Sequence, residues 1–152
     1  MEMETPADRA QRLWKDFFRQ PCNQHHKLML ELLSESEARC SKAVELHDCM
    51  IDADPEETKV IQGGVVLILA DCAGVYLARM HDAGPRITPL ADLIKGFRAP
   101  FLVGRDERMV AYASLSSEKK KNRILVDVVV RNEKGDFRGQ GRLEYAHRSF
   151  KK

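Results

Sequence analysis

The sequence predicts an α+β fold, a curved antiparallel β-sheet wrapped around one long central helix. Three features predict it. Residues 63–80 are an apolar run of helical length, and from Val65 to Ala78 only Asp71 is charged. Four strand-like segments follow, at 87–98, 107–117, 122–131 and 137–147, including the β-branched run Ile124–Val130. At 152 residues, with 43% hydrophobic and 32% charged content, the chain can bury one real core. A helix apolar all round needs cover on every side, and a sheet curving about it supplies that cover.

The elements follow in order. Residues 5–20 read as an amphipathic helix. Thr5 is a cap, Pro6 suits the first helical position, and Leu13, Trp14, Phe17 and Phe18 share a face. Pro21 ends it, and 25–36 reads as a second short helix. Residues 38–49 alternate loosely and suit a strand, and the polar stretch Asp52–Thr58 is a loop. The apolar helix ends at His81-Asp-Ala-Gly84-Pro85. Asn132–Asp136 is a hairpin turn, and Gly96 and Pro100-Phe101 mark a bulge or a strand exit. Two parts result, an N-terminal helical extension at 1–37 and a sheet-and-helix domain at 38–152.

Composition excludes several classes. A net charge of +2, with basic and acidic residues mixed, gives no electrostatic case for nucleic acid or an anionic membrane. The basic run Lys119–Lys121 reads as a solvated turn. Ile61 to Ala78 approaches the length of a membrane span, but Asp71 would lie near the bilayer centre and no second span exists. The four cysteines (Cys22, Cys40, Cys49 and Cys72) form no C-x-x-C pair and show no zinc spacing with the histidines. With a polar N-terminus and no signal peptide, a reducing cytoplasm is the expected compartment. No metal and no cofactor is expected.

Asp71 is the residue that needs an explanation. An Asp is rarely buried without a partner, because stripping water from a carboxylate is costly or drives its pKa upward. Two readings stand: a hydrogen-bonded structural carboxylate, or a functional one.

The pattern Gln62-Gly63-Gly64, with Asp71 seven residues after the second glycine, resembles the phenylacetate-pathway (PaaI-like) branch of the hot-dog acyl-CoA thioesterases. The segment Leu93–Pro100, the run Val126–Val130, the Gly135 turn and Gly139-Gln-Gly141 are similar to strands of that family. The resemblance covers roughly residues 38–147. It implies thioester hydrolysis, with Asp71 as general base or nucleophile and the Gly63 N–H as oxyanion donor. Gln62 and Gly64 would shape the donor loop. The chain carries Gln62 where the family commonly has His, and Glu56 where relatives often carry Asn. It also has Arg98-Ala-Pro in place of Arg-Pro.

The chemistry suits these residue types. A carboxylate in a water-poor helix gains basicity, and a helix N-terminus offers unpaired N–H groups. Glycine there leaves a carbonyl oxygen room to approach. Gly63 and Asp71 are eight residues apart, about 12 Å along a helix at 1.5 Å per residue. One thioester carbon cannot touch both in one chain, so the spacing predicts a homodimer, or a dimer of dimers, with composite sites. Arg98, Arg105 and Lys95 are candidates for the phosphates of coenzyme A, Tyr76 for lining the acyl pocket, and Glu56 for a second carboxylate. Alternatives stay open: an acyl-thioester dehydratase, or a non-catalytic acyl-CoA or fatty-acyl binding protein of the same fold. A Cys–His nucleophile built on Cys72 or Cys49 lacks an elbow motif.

Overall fold

The computed structural model describes residues 3–49, 58–81, 90–95, 102–104, 107–121 and 123–146. Helix α1 (Pro6–Arg19) opens with a complete capping box, in which the Thr5 hydroxyl accepts the Asp8 N–H and the Asp8 carboxylate accepts the Thr5 N–H. Its Leu13 and Phe17 are buried, while Trp14 stays half-exposed. Pro21 ends α1 as expected, but it also opens a short helix, α2 (Pro21–His25).

The helix expected over 25–36 is instead a strand, β1 (Met29–Leu32), and the reason is periodicity. Leu28 and Leu30 point into the core, and Met29 and Glu31 point out. That period of two fits a pleated edge strand. β2 (Glu37–Ala43) follows, shorter than the strand read over 38–49, because a 3-10 turn occupies Leu46–Asp48. β3 (Thr58–Val60) precedes α3 (Gly63–Met80), whose bounds match the expectation. β4 (Leu90–Lys95), β5 (Leu102–Gly104), β6 (Arg108–Leu115), β7 (Arg123–Asn132) and β8 (Phe137–Ala146) complete the described elements. Three strands precede the helix where one was expected.

All pairings among the described strands are antiparallel. The main sheet has the order β1-β2-β6-β7-β8-β4, and β3 pairs with β5 in a separate ribbon. The β7–β8 hairpin turns where the sequence indicated, with Gly135 at φ 90° supplying the left-handed residue. The observed irregularity in β4 falls between Ala91 and Leu93. The bulge expected at Gly96 and Pro100-Phe101 lies outside the described residues.

α3 packs chiefly on β2, β6 and β7, as a core helix does, although its length and composition would also suit a membrane span. Among the described residues, the full cover expected for it is not seen. Leu67, Ile68, Asp71, Cys72, Val75 and Arg79 are only partly buried, and Gly64 is exposed. These positions recur every three or four residues, so they form a single half-open stripe.

One buried ion pair had no signal in the hydrophobic pattern. Lys42 on β2 and Asp48 in the 3-10 turn are 1% and 0% exposed and stand 3.0 Å apart. Lys42 also donates to the His26 carbonyl at 2.7 Å. Lys42→Met is expected to lower stability by about 3–5 kcal/mol, because it leaves a buried carboxylate without its cation. The midpoint of urea unfolding measures this, and an unchanged midpoint would contradict it.

Candidate active site

Asp71 sits near the middle of α3, on the edge of the half-open stripe that faces β8. Tyr145 of β8 is fully buried and donates its hydroxyl to Asp71 Oδ1 at 2.9 Å. Burial pushes the Asp71 carboxyl above its ordinary value, and the Tyr145 hydrogen bond opposes part of that rise. Burial and the neighbouring carboxylate push the Tyr145 phenol well up, so it stays a donor.

Gly74 makes this contact possible. A Cβ at that position would lie 2.6 Å from both the Tyr145 hydroxyl and Leu143 Cδ1. The helix therefore approaches β8 closely enough for the phenol to reach one turn back to Asp71. Sequence reasoning missed both Tyr145 and Gly74. The available signal was Leu143 and Tyr145 in alternation on the last strand, with a glycine one turn past Asp71.

At the other end of α3 the helix begins bare. Gln62 is the N-cap in extended conformation (φ −64°, ψ 130°), makes no side-chain cap, and no acidic residue occupies the first turn. The Val65 N–H goes to the Gln62 carbonyl at 3.0 Å. Among the described residues, the Gly63 and Gly64 amides have no backbone acceptor. Both glycines are exposed, neither has positive φ, and a Cβ on either would meet nothing within 4 Å. Among the described residues, no packing contact requires a glycine at either position. The open N–H groups and the positive end of the helix dipole form an anion-accepting surface.

The remaining candidates are placed as follows. Tyr76 is buried against Phe17 of α1, with ring centroids 5.2 Å apart. Five residues past Asp71, it points about 140° away around the helix. Lys95 ends β4, in register with Arg142. Glu56, Arg98 and Arg105 lie outside the described residues. Lys120 pairs with Glu144 at 3.1 Å, and Lys119 and Lys121 are exposed. Cys72 shares the open stripe, but burial and Asp71 push its thiol up to about 12, so it is not a thiolate nucleophile near neutrality.

The strand order, the central helix and the added N-terminal helices define the hot-dog fold. Among solved structures, the PaaI protein of the Escherichia coli phenylacetic acid degradation operon superposes with TM-score 0.75 at 13% identity, over 97% of each chain. A thioesterase from Haemophilus influenzae gives 0.72 at 15% identity, covering 99% of this chain and 95% of that one. A hypothetical thioesterase from Streptococcus pneumoniae, solved with coenzyme A, gives 0.66 at 10% identity, covering 89% and 96%. No protein-family model and no curated protein sequence matches the chain.

Proposed function

We propose that this protein hydrolyses acyl-CoA thioesters at a site shared by two copies of the chain. One observation carries the reading: a half-buried carboxylate on the central helix, positioned by Tyr145, shares that helix with an uncapped Gly63-Gly64 N-terminus that internal packing does not explain. The likeness to solved thioesterases supports it, and so does the coenzyme A bound to one of them.

In this mechanism the thioester carbonyl oxygen points at the Gly63 N–H of one copy. The Asp71 carboxylate of the other copy takes a proton from an attacking water, or attacks the carbonyl itself to give an acyl-aspartyl anhydride that water then hydrolyses. The tetrahedral oxyanion is stabilised by that amide and the helix dipole, and collapse expels the coenzyme A thiolate. Two antiparallel α3 helices bring together groups that stand about 12 Å apart along one helix. Burial of the half-open stripe by the second copy supplies a reason for Leu67, Ile68 and Val75 on a surface. Gln62 and Gly64 shape the donor loop, and Arg98, Arg105 and Lys95 remain the proposed contacts for the phosphates.

The test is release of free thiol from a panel of acyl-CoAs. Saturable turnover of at least one member is expected. Binding without turnover across the panel would move the assignment to an acyl-CoA binding protein, the reading favoured by the Tyr145 hydrogen bond if it serves structure alone. Tyr145→Phe sharpens the distinction. Removing the donor takes away the contact that lowers the Asp71 pKa, so the acid limb of kcat/KM is expected to move to higher pH. An unmoved limb would mean that Tyr145 does not act on the reacting carboxylate.

A further inference from the structure

The turn after β2 gathers three metal-ligating atoms that the proposed hydrolysis does not use. His47 Nε2 lies 3.3 Å from Glu45 Oε2 and 3.5 Å from Asp48 Oδ1, and the three atoms all fall within 4.8 Å of one another. Glu45 Oε2 and Asp48 Oδ1 are buried and accept no hydrogen bond. The Asp48 side chain is wholly inaccessible. A buried carboxylate oxygen left unbonded is costly, and two of them facing one imidazole nitrogen need a common partner.

His47 Nε2 offers at most one hydrogen to these two oxygens, which lie 3.3 and 3.5 Å from it. A cation held at about 2.0–2.1 Å by each ligand in tetrahedral geometry sets neighbouring donors roughly 3.3 Å apart. The two His47 separations match that spacing. We propose that Glu45, His47 and Asp48 bind one divalent cation of the zinc type, with solvent completing the coordination.

The supporting groups fit. The second oxygen of each carboxylate is already held: Glu45 Oε1 by the Lys27 ammonium at 2.6 Å, and Asp48 Oδ2 by Lys42 at 3.0 Å and the Glu45 N–H at 2.9 Å. These contacts fix both carboxylates with their free oxygens toward His47. With an imidazole among the three ligands, the set suits a cation that takes nitrogen over hard calcium or magnesium. His25 stands 6.3 Å from His47, ring to ring.

The turn is tied to the candidate active site. The Asp48 carbonyl accepts the Gln62 N–H at 2.8 Å, and Cys49 bridges to Ile61. A cation here would brace the strand that delivers the N-terminus of α3, a structural role independent of whether the protein hydrolyses thioesters.

Isothermal titration of chelator-stripped protein with Zn²⁺, Co²⁺ and Mg²⁺ tests the proposal. One Zn²⁺ per chain is expected, with a raised melting temperature and no response to Mg²⁺. Co²⁺ should give a spectrum without thiolate charge transfer, which excludes the cysteines as ligands. His47 is exposed, so His47→Ala should fold normally and weaken Zn²⁺ binding at least tenfold, and Glu45→Gln should do the same. Failure to bind Zn²⁺, thiolate bands, or equal affinity in both variants would overturn the proposal. None of these readouts depends on catalysis.

Discussion

Asp71→Asn is expected to reduce kcat/KM for acyl-CoA by about 10²–10⁴, the usual range for loss of a general base, while leaving the fold intact or more stable. The stability direction follows from linkage. Burial raises the carboxyl above its ordinary value of 3.8, so the folded chain holds the Asp71 proton more tightly than the unfolded chain does. Stability then falls as pH rises from 3.8 through the raised folded value, and the deficit persists at neutral pH. Asparagine carries no such deficit, and its carbonyl oxygen still accepts the Tyr145 hydroxyl. Thermal melts at pH 7 should place the variant at or above the parent protein. Large loss of activity without loss of stability marks a group kept for chemistry. A strongly destabilised variant would mark Asp71 as structural instead.

Gly63→Pro removes the proposed oxyanion donor without disturbing the helix, and is expected to cost about 10²–10³ in kcat. Proline is well suited to this position. Gly63 is the first residue of α3, where the missing N–H has no intrahelical partner. Gln62 already has the extended ψ of 130° that precedes proline comfortably, and a Cβ at Gly63 meets nothing. A Gly63→Ala control retains the N–H and should keep most of the activity. If proline and alanine behave alike, the amide is not the donor and shape alone governs that end of the helix.

The central features of the fold were legible in the sequence because they are local. The 18-residue apolar run set α3 to the residue, and Asn132–Asp136 set the hairpin. Thr5 and Pro6 set the start of α1. The errors arose where a short segment's own pattern was ambiguous. Residues 25–36 carry helix-forming Leu and Glu, yet pairing of Met29–Leu32 with Ala38–Ser41 decides their conformation. β3 and β5 are three residues each and exist through each other.

The candidate site divides in the same way. Gly63, Gly64 and Asp71 lie on one helix, so spacing alone related them. Tyr145 lies 74 residues from Asp71 and meets it only because β8 packs beside α3 at Gly74. The Lys42–Asp48 pair was likewise invisible, since no spacing rule links a buried strand lysine to a turn aspartate. The half-open stripe was hidden for the opposite reason: composition shows that a helix is apolar, but not which of its faces the same chain leaves uncovered.

The central claim is that one catalytic site combines Gly63 of one copy with Asp71 of another, and mixed assembly tests it most directly. The Asp71→Asn and Gly63→Pro proteins are each expected to be nearly inactive alone. After unfolding and refolding together, a mixed dimer contains one site with both native groups and one with neither. Thiol release should therefore return in the mixture to a substantial fraction of the parent rate. A mixture that stays inactive, although mixed dimers are demonstrated by mass spectrometry, would contradict the shared site.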